Sequence, residues 1–200
     1  MKEEVLVVAA DYLKDLLCFS GVRNVPLDTI RECVRRHASF MPRQYAENDE
    51  RYRQMIPYIV LKNRERFILL KRTEKQGEKR LHNKFTLGIG GHVNSEDGDL
   101  HDAWKTFEKG LWREFNEEVK AEPKSLTYLG VINDLSSPVS RVHLGILYLA
   151  EVNFKGLREM DMFEIFEISL EDLLAYRDKM EGWSKLTTDF LIKFSRLLQR

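Results

Sequence analysis

Leu87-Gly88-Ile89-Gly90-Gly91 and, twenty-two positions on from Gly91 (113 − 91), Arg113-Glu114-Phe115-Asn116-Glu117-Glu118 carry the strongest signal in the chain. Three glycines in four residues leave a bare backbone that something must approach closely. The second piece ends a helix with a plain period. Ala103, Phe107, Leu111, Phe115 and Val119 recur every fourth residue, which predicts a helix over about residues 101–120, with Pro123 preventing much continuation. At ~100° per residue, Glu114, Glu117 and Glu118 share one third of its circumference. They also crowd the C-terminal end, where the macrodipole disfavours each acidic side chain by ~0.3–1 kcal/mol. Arg113 can pair with Glu117 one turn on, but one guanidinium cannot neutralise three carboxylates. A divalent cation relieves both penalties and keeps all three ionised. Oxygen ligands of this kind suit Mg²⁺ or Mn²⁺, and Mg²⁺ usually shares its shell with substrate phosphates. The plain alternative is a solvated acidic face laced with ion pairs.

Outward from this core, residues 58–61 and 66–70 form hairpin strands about an Asn63-containing turn, followed by a charged loop over 73–80. Residues 81–93 are extended. Beyond the helix, 126–132 and 142–152 read as strands, the second apolar on both faces, as in a central strand. Phe163-Glu164-Ile165-Phe166-Glu167-Ile168 has period three and fits neither helix nor strand cleanly. Two terminal helices follow, one after a cap at Ser169 and one with a stripe of Trp183, Leu186, Phe190, Phe194 and Leu197. At the other end come a short strand over 5–9, a helical segment with Asp11 as its cap, and a helix after Pro26 that repeats Leu27, Ile30 and Val34. The polar stretch 41–53 reads as irregular. The class is α/β, with residues 1–50 as an N-terminal elaboration packed on the core and 51–200 as the main domain.

Two hundred residues with 43% apolar content are enough for a real core, burying ~70% of the unfolded surface. Thirty-two basic and thirty-two acidic residues balance to zero, so the broad positive footprint of a duplex-nucleic-acid binder is missing. Cys18 and Cys33 are the only cysteines and show no metal-type spacing, which excludes a disulfide framework and a zinc cluster and fits a reduced, cytoplasmic setting. The apolar run near the N-terminus is too short and too acidic at its head for a signal peptide. No stretch approaches the ~20 apolar residues of a membrane span.

A glycine pair followed by a helix bearing Arg-Glu-apolar-x-Glu-Glu resembles the signature of the Nudix hydrolases. The resemblance extends over roughly residues 55–180. It implies an α/β/α sandwich with a mixed sheet, and cleavage of a diphosphate bond in a nucleoside diphosphate linked to another group. It also implies Mg²⁺ or Mn²⁺ held by Glu114, Glu117, Glu118 and the Gly91 carbonyl, with Arg113 orienting a glutamate through a salt bridge. The metal would activate water, and Glu117, or alternatively Glu114, would remove its proton. Among more distant glutamates, Glu159, Glu164 and Glu167 are further candidates for the base. Arg72, Arg80 and His92 are weaker candidates for contacts to substrate phosphates.

The sequence departs from the family pattern in three places. The usual signature places the arginine fourteen positions after the glycine, so an eight-residue enlargement lies over 94–101 or at the helix start. The first signature glutamate falls on Asp97 counting forward from Gly91 and on Lys105 counting back from Arg113, with Glu108 nearby. Lys120 stands where a glycine normally follows the paired glutamates. Isopentenyl diphosphate isomerisation, a chemistry the same fold hosts, needs an active-site cysteine that 81–119 do not contain. A nucleotide sensor without catalysis is the other alternative, and retention of the three carboxylates speaks against it. The expected partner is a small-molecule diphosphate, with no duplex nucleic acid and no membrane; dimerisation is left open.

Overall fold

In the structure, a computed structural model that describes residues 3–74 and 82–198, the apolar run Val5 to Val8 forms β1 (Glu4–Ala9). It leads into the one-turn α1 (Ala10–Leu13) and the short β2 (Gly21–Arg23). Asp11 lies inside α1 instead of capping it, because the cap position is Ala9. After Pro26, α2 (Leu27–His37) buries Ile30, Cys33 and Val34, the face its helical spacing marks out. The stretch expected to be irregular is ordered: β3 (Ala38–Pro42) runs into α3 (Arg43–Ala46), because β3 pairs along the whole of β1 from Glu4↔Pro42 to Val8↔Ala38.

The hairpin is β4 (Tyr52–Asn63) and β5 (Arg66–Arg72), turning through Arg64 at φ 55°. Two short strands follow, β6 (Phe85–Thr86) and β7 (Gly88–Ile89). The long helix is α4 (Ala103–Glu118), and β8 (Val119–Asn133) begins without a break. Val119, expected on the helix stripe, is therefore the first residue of a strand and still buried. The chain continues through α5 (Pro138–Arg141), β9 (His143–Leu157), β10 (Phe163–Ile168), α6 (Leu173–Tyr176) and α7 (Gly182–Leu198). Ser169 does not cap α6 itself. Its hydroxyl accepts from the Asp172 N–H in the turn before the helix.

The strands bond in the order β10-β5-β4-β9-β8-β2. β9 lies inside that order, as its apolar faces predict. The sheet is mixed. Gln54 N–H donates to Val142 O near the start of β4 and β9, and Phe154 N–H donates to the Asn63 side chain near their ends, so these two strands run parallel. β4 and β5 are antiparallel. The period-three segment becomes a strand because β5 gives it a full antiparallel partner, from Phe163↔Arg72 to Ile168↔Phe67.

The chain divides into two compact units. The first comprises Met1–Tyr58, Gly90–Phe115 and Tyr128–Leu147. Here β1 pairs with β3 and with the start of β4, and Val5, Val7 and Ala46 form a buried cluster covered by Met41 and Tyr52. In the same unit α2 meets the start of α4. The Arg31 guanidinium sits 5.6 Å from the Trp104 ring centroid, and Arg35 pairs with Asp102 at 3.5 Å. The second unit comprises Ile59–Ile89, Asn116–Thr127 and Tyr148–Arg200. There Phe85 packs on Phe166 and Tyr176, and the Ser184 hydroxyl accepts from the Leu87 N–H at 2.9 Å.

Candidate active site

Arg113 lies one turn before the end of α4, and its guanidinium forms a fork. Its Nε and Nη2 donate to the two Asp97 carboxylate oxygens at 2.7 and 3.0 Å, Nη2 also donates to the His92 carbonyl at 2.7 Å, and Nη1 donates to Glu114 Oε1 at 2.8 Å. The Asp97 side chain is only 4% exposed and the Glu114 side chain 14%. Bidentate pairing of this kind fixes direction as well as distance. Bonding to Asp97 is the largest influence holding the Arg113 guanidinium protonated, above its ordinary value. Asp97 also accepts from the Asn94 N–H at 2.8 Å, which ties the turn over Ser95–Asp97 to the same carboxylate.

Of the three positions left open for the first signature glutamate, Asp97 is the one the structure shows bonded to Arg113. It sits six residues after Gly91 (97 − 91), the forward count. Lys105 and Glu108 lie on the helix instead, and Glu108 accepts from the Trp104 indole N–H. The enlargement falls between Asp97 and Arg113. It consists of the turn Leu100–Asp102 and the first turns of α4. Thr106 closes this insertion by donating to the Asp99 carbonyl at 2.6 Å.

Two glycines permit the arrangement. A Cβ on Gly91 would overlap the Glu114 carboxylate, so only a glycine lets that carboxylate rest against the backbone. A Cβ on Gly110 would stand 2.9 Å from Asp97 Oδ2 and 2.9 Å from Val93 Cγ2. A glycine inside a helix costs about 1 kcal/mol relative to alanine, and here it lets the 93–97 segment lie on the helix one turn before Arg113. The glycine-rich segment therefore does approach something closely: its own acidic helix.

Glu117 and Glu118 are the last two residues of α4, and its last turn holds no basic residue. Helical geometry puts both on the Glu114 face. The glycine missing at Lys120 has a substitute in the second unit. Arg158 donates its backbone N–H to the Glu118 carbonyl at 2.9 Å and its Nε to the Asn116 carbonyl. Carbonyls that a left-handed glycine cap would satisfy are met by a distant arginine.

The donor set suits a hard divalent cation. Among the described residues, no three aspartate, glutamate, histidine or cysteine side chains converge closely enough to hold an ion by themselves. The expected ligands Glu114, Glu117 and Glu118 are therefore not gathered into a closed cage, and a cation held here would need oxygens from water or a ligand to complete its shell.

The weaker candidates are placed differently. The His92 ring faces His143, with the two Nε2 atoms 3.4 Å apart, and His143 Nδ1 lies 2.6 Å from the Val139 carbonyl. Burial, reinforced by Arg43, His143 and Arg113, pushes His92 down to about 3, so it is a neutral ring and not a cationic phosphate contact near neutral pH. Arg72 pairs with Glu181 at 3.3 Å and lies over the Phe163 ring. Glu164 is held by Lys71 and Glu167 by Asn63. Arg80 lies outside the described residues. Sequence reasoning missed His143 and Arg158, which are brought in by tertiary contacts and carry no local motif.

No family model matches the chain. Protein YmaB of Bacillus subtilis (strain 168) is 32% identical over 206 residues, spanning 96% of this chain and 98% of its own length. The crystal structure of Tm1382, titled as a Nudix hydrolase, matches with a TM-score of 0.87 at 38% identity, covering 96% of this chain and 100% of that one. The NUDIX domain of Shewanella oneidensis NrtR, solved with ADP ribose, shares the fold at a TM-score of 0.50 and 13% identity, over 72% of this chain and 88% of that one. A glycine-backed glutamate locked by the signature arginine is thus found on a Nudix fold. The chain belongs to the Nudix hydrolase family. Among the described residues, no helix is long and apolar enough to cross a membrane.

Proposed function

We propose that this protein hydrolyses a diphosphate bond in a small nucleoside diphosphate derivative, using Mg²⁺ or Mn²⁺ held at the acidic end of α4. One observation carries the proposal: the Glu114 carboxylate rests on Gly91 and is fixed by Arg113, which is itself fixed by Asp97. A carboxylate held this tightly has little orientational freedom to lose when a ligand arrives. Glu114, Glu117, Glu118 and the Gly91 carbonyl would hold the cation. When bound, it supplies charge stabilisation to the diphosphate and lowers the pKa of a coordinated water. Glu117 takes the proton from the attacking water, and Glu114 is the alternative base. Arg113 is a positioning residue. Unpaired Cys18 and Cys33 fit a reducing compartment.

The test uses purified protein with Mg²⁺ or Mn²⁺ and a panel of dinucleotides, nucleotide sugars, ADP-ribose and nucleoside triphosphates. Wild type is expected to release a phosphomonoester product, and Glu117→Gln to lose about 10²–10⁴-fold in kcat. Thermal stabilisation by a panel member without product, equal in both proteins, would show a sensor and overturn the proposal.

A further inference from the structure

Arg53, in the first unit, breaks a pattern that other half-buried arginines of the chain keep. Arg43, Arg72, Arg113 and Arg141 each hold a carboxylate, at 2.7, 3.3, 2.7 and 2.8 Å. Arg53 holds none. Its Nη1 donates only to the backbone carbonyls of Glu50 and Tyr52, at 2.9 and 3.4 Å. The neighbouring acids are already taken. Asp49 is bound by Arg51 at 2.7 Å, and Glu50 by Arg141 Nε at 2.8 Å. Three guanidiniums therefore share two carboxylates. Burial lowers the proton affinity of Arg53, and Arg141 lowers it further against the opposing pull of Glu50, so the two cations feel each other. A cation stripped of part of its water without a counter-ion is costly, and the other half-buried arginines named here avoid that cost with an acid.

We propose that Arg53 and Arg141 form a binding site for a phosphate-class oxyanion, either inorganic phosphate or a phosphomonoester, which supplies the missing counter-charge. A guanidinium offers two parallel N–H groups to such an anion, which suits arginine better than lysine for this purpose. Arg141 commits only Nε to Glu50, and Arg53 only Nη1 to carbonyls, so both keep further N–H groups for a ligand. The site uses none of the carboxylates assigned to the cation and does not depend on the hydrolase proposal.

The experiment titrates inorganic phosphate, and separately a nucleoside monophosphate, into the full chain in EDTA at constant ionic strength. Calorimetry and thermal melting follow binding, with sodium chloride as the screening control. The expected result is saturable binding that raises Tm by several degrees at ~100-fold excess over Kd. Arg53→Gln and Arg141→Gln should each weaken it at least ~10-fold, as loss of a charge-assisted bond does. Glu50→Gln should tighten it, because it removes the competing carboxylate, and a merely structural cluster gives no such gain. Arg51→Gln should leave it unchanged. Tighter binding of the monophosphate identifies a phosphomonoester as the ligand, and equal or weaker binding identifies free phosphate. If Arg53→Gln fails to melt cooperatively, Arg141→Gln decides. Absence of saturable binding in wild type, or affinity unchanged by the deciding variants, overturns the proposal.

Discussion

The two ends of α4 are built from similar material and do different work. The N-terminal turns carry Trp104, Thr106, Phe107 and Gly110, all buried. Trp104 stacks on Phe107 at 4.8 Å and lies under the Arg31 guanidinium, while Asp102 just before the helix meets Arg35. The C-terminal turns carry Arg113, Glu114, Glu117 and Glu118, with no basic residue in the last turn. The charges at the first end are matched one to one across α2. At the second end Glu114 is held by Arg113, and Glu117 and Glu118 follow on the same face. One end of the helix packs on α2, and the other carries the acidic residues to which the proposed function assigns the cation.

Breaking this contrast at the acidic end should have the largest effect. Glu114→Gln is expected to lower kcat by about 10²–10⁴-fold while the weakened Arg113 bond costs no more than about 1–3 kcal/mol of stability, measured by product release alongside calorimetric melting. At the other end, Trp104→Ala should reverse the pattern. A stability loss of about 3–5 kcal/mol should appear in denaturant melts, with kcat of the folded fraction little changed. If Trp104→Ala abolished turnover of folded protein, the division of labour along α4 would be wrong.

Asp97 joins the two ends, since it lies in the loop before the insertion and clamps the arginine beyond it. Asp97→Asn leaves Arg113 with a weaker acceptor and should cost about 1–3 kcal/mol, together with a fall in kcat as Glu114 loses its orientation. Lys105→Ala, at the position given by the backward count, should stay within about 0.5 kcal/mol of wild type. Equal effects of the two would undo the assignment of Asp97.

The smallest effect is a pH slope. His92 titrates at about 3 in the fold because burial, then Arg43, His143 and Arg113, oppose its charge. His143, facing it, is also pushed down by burial, against the pull of the Val139 carbonyl and Glu47. An unfolded histidine titrates near 6.5, so below that pH the unfolded chain binds more protons. Stability is therefore full above about pH 6.5 and declines as the pH falls toward 3, by at most about 1.4 kcal/mol per pH unit for each ring. His92→Asn should flatten the slope in denaturant melts between pH 4 and 7, conditions chosen to bracket that range.

Much of this could be read from the chain alone because it depends on local periodicity. A fourth-residue repeat of apolar side chains needs no partner to announce α4, and three glutamates at its end are crowded whatever surrounds them. Apolar residues on both faces likewise marked β9 as an inner strand. The period-three segment Phe163–Ile168 was illegible for the opposite reason: its own pattern favours no element, and β5 decided the matter by offering a complete antiparallel partner.

What the sequence determined by itself was the helix, its acidic face and the glycine pair, since spacing along one element is a short-range property. Which acid clamps Arg113 was left to the tertiary structure, because an insertion made the count from either direction equally good and only the approach of the 93–97 segment to Gly110 chose Asp97. The replacement of a glycine cap by Arg158, the pairing of His92 with His143, and the missing counter-ion of Arg53 belong to the same category. Each depends on residues many positions apart meeting in space, and charge balance between such residues exists only once the chain has folded.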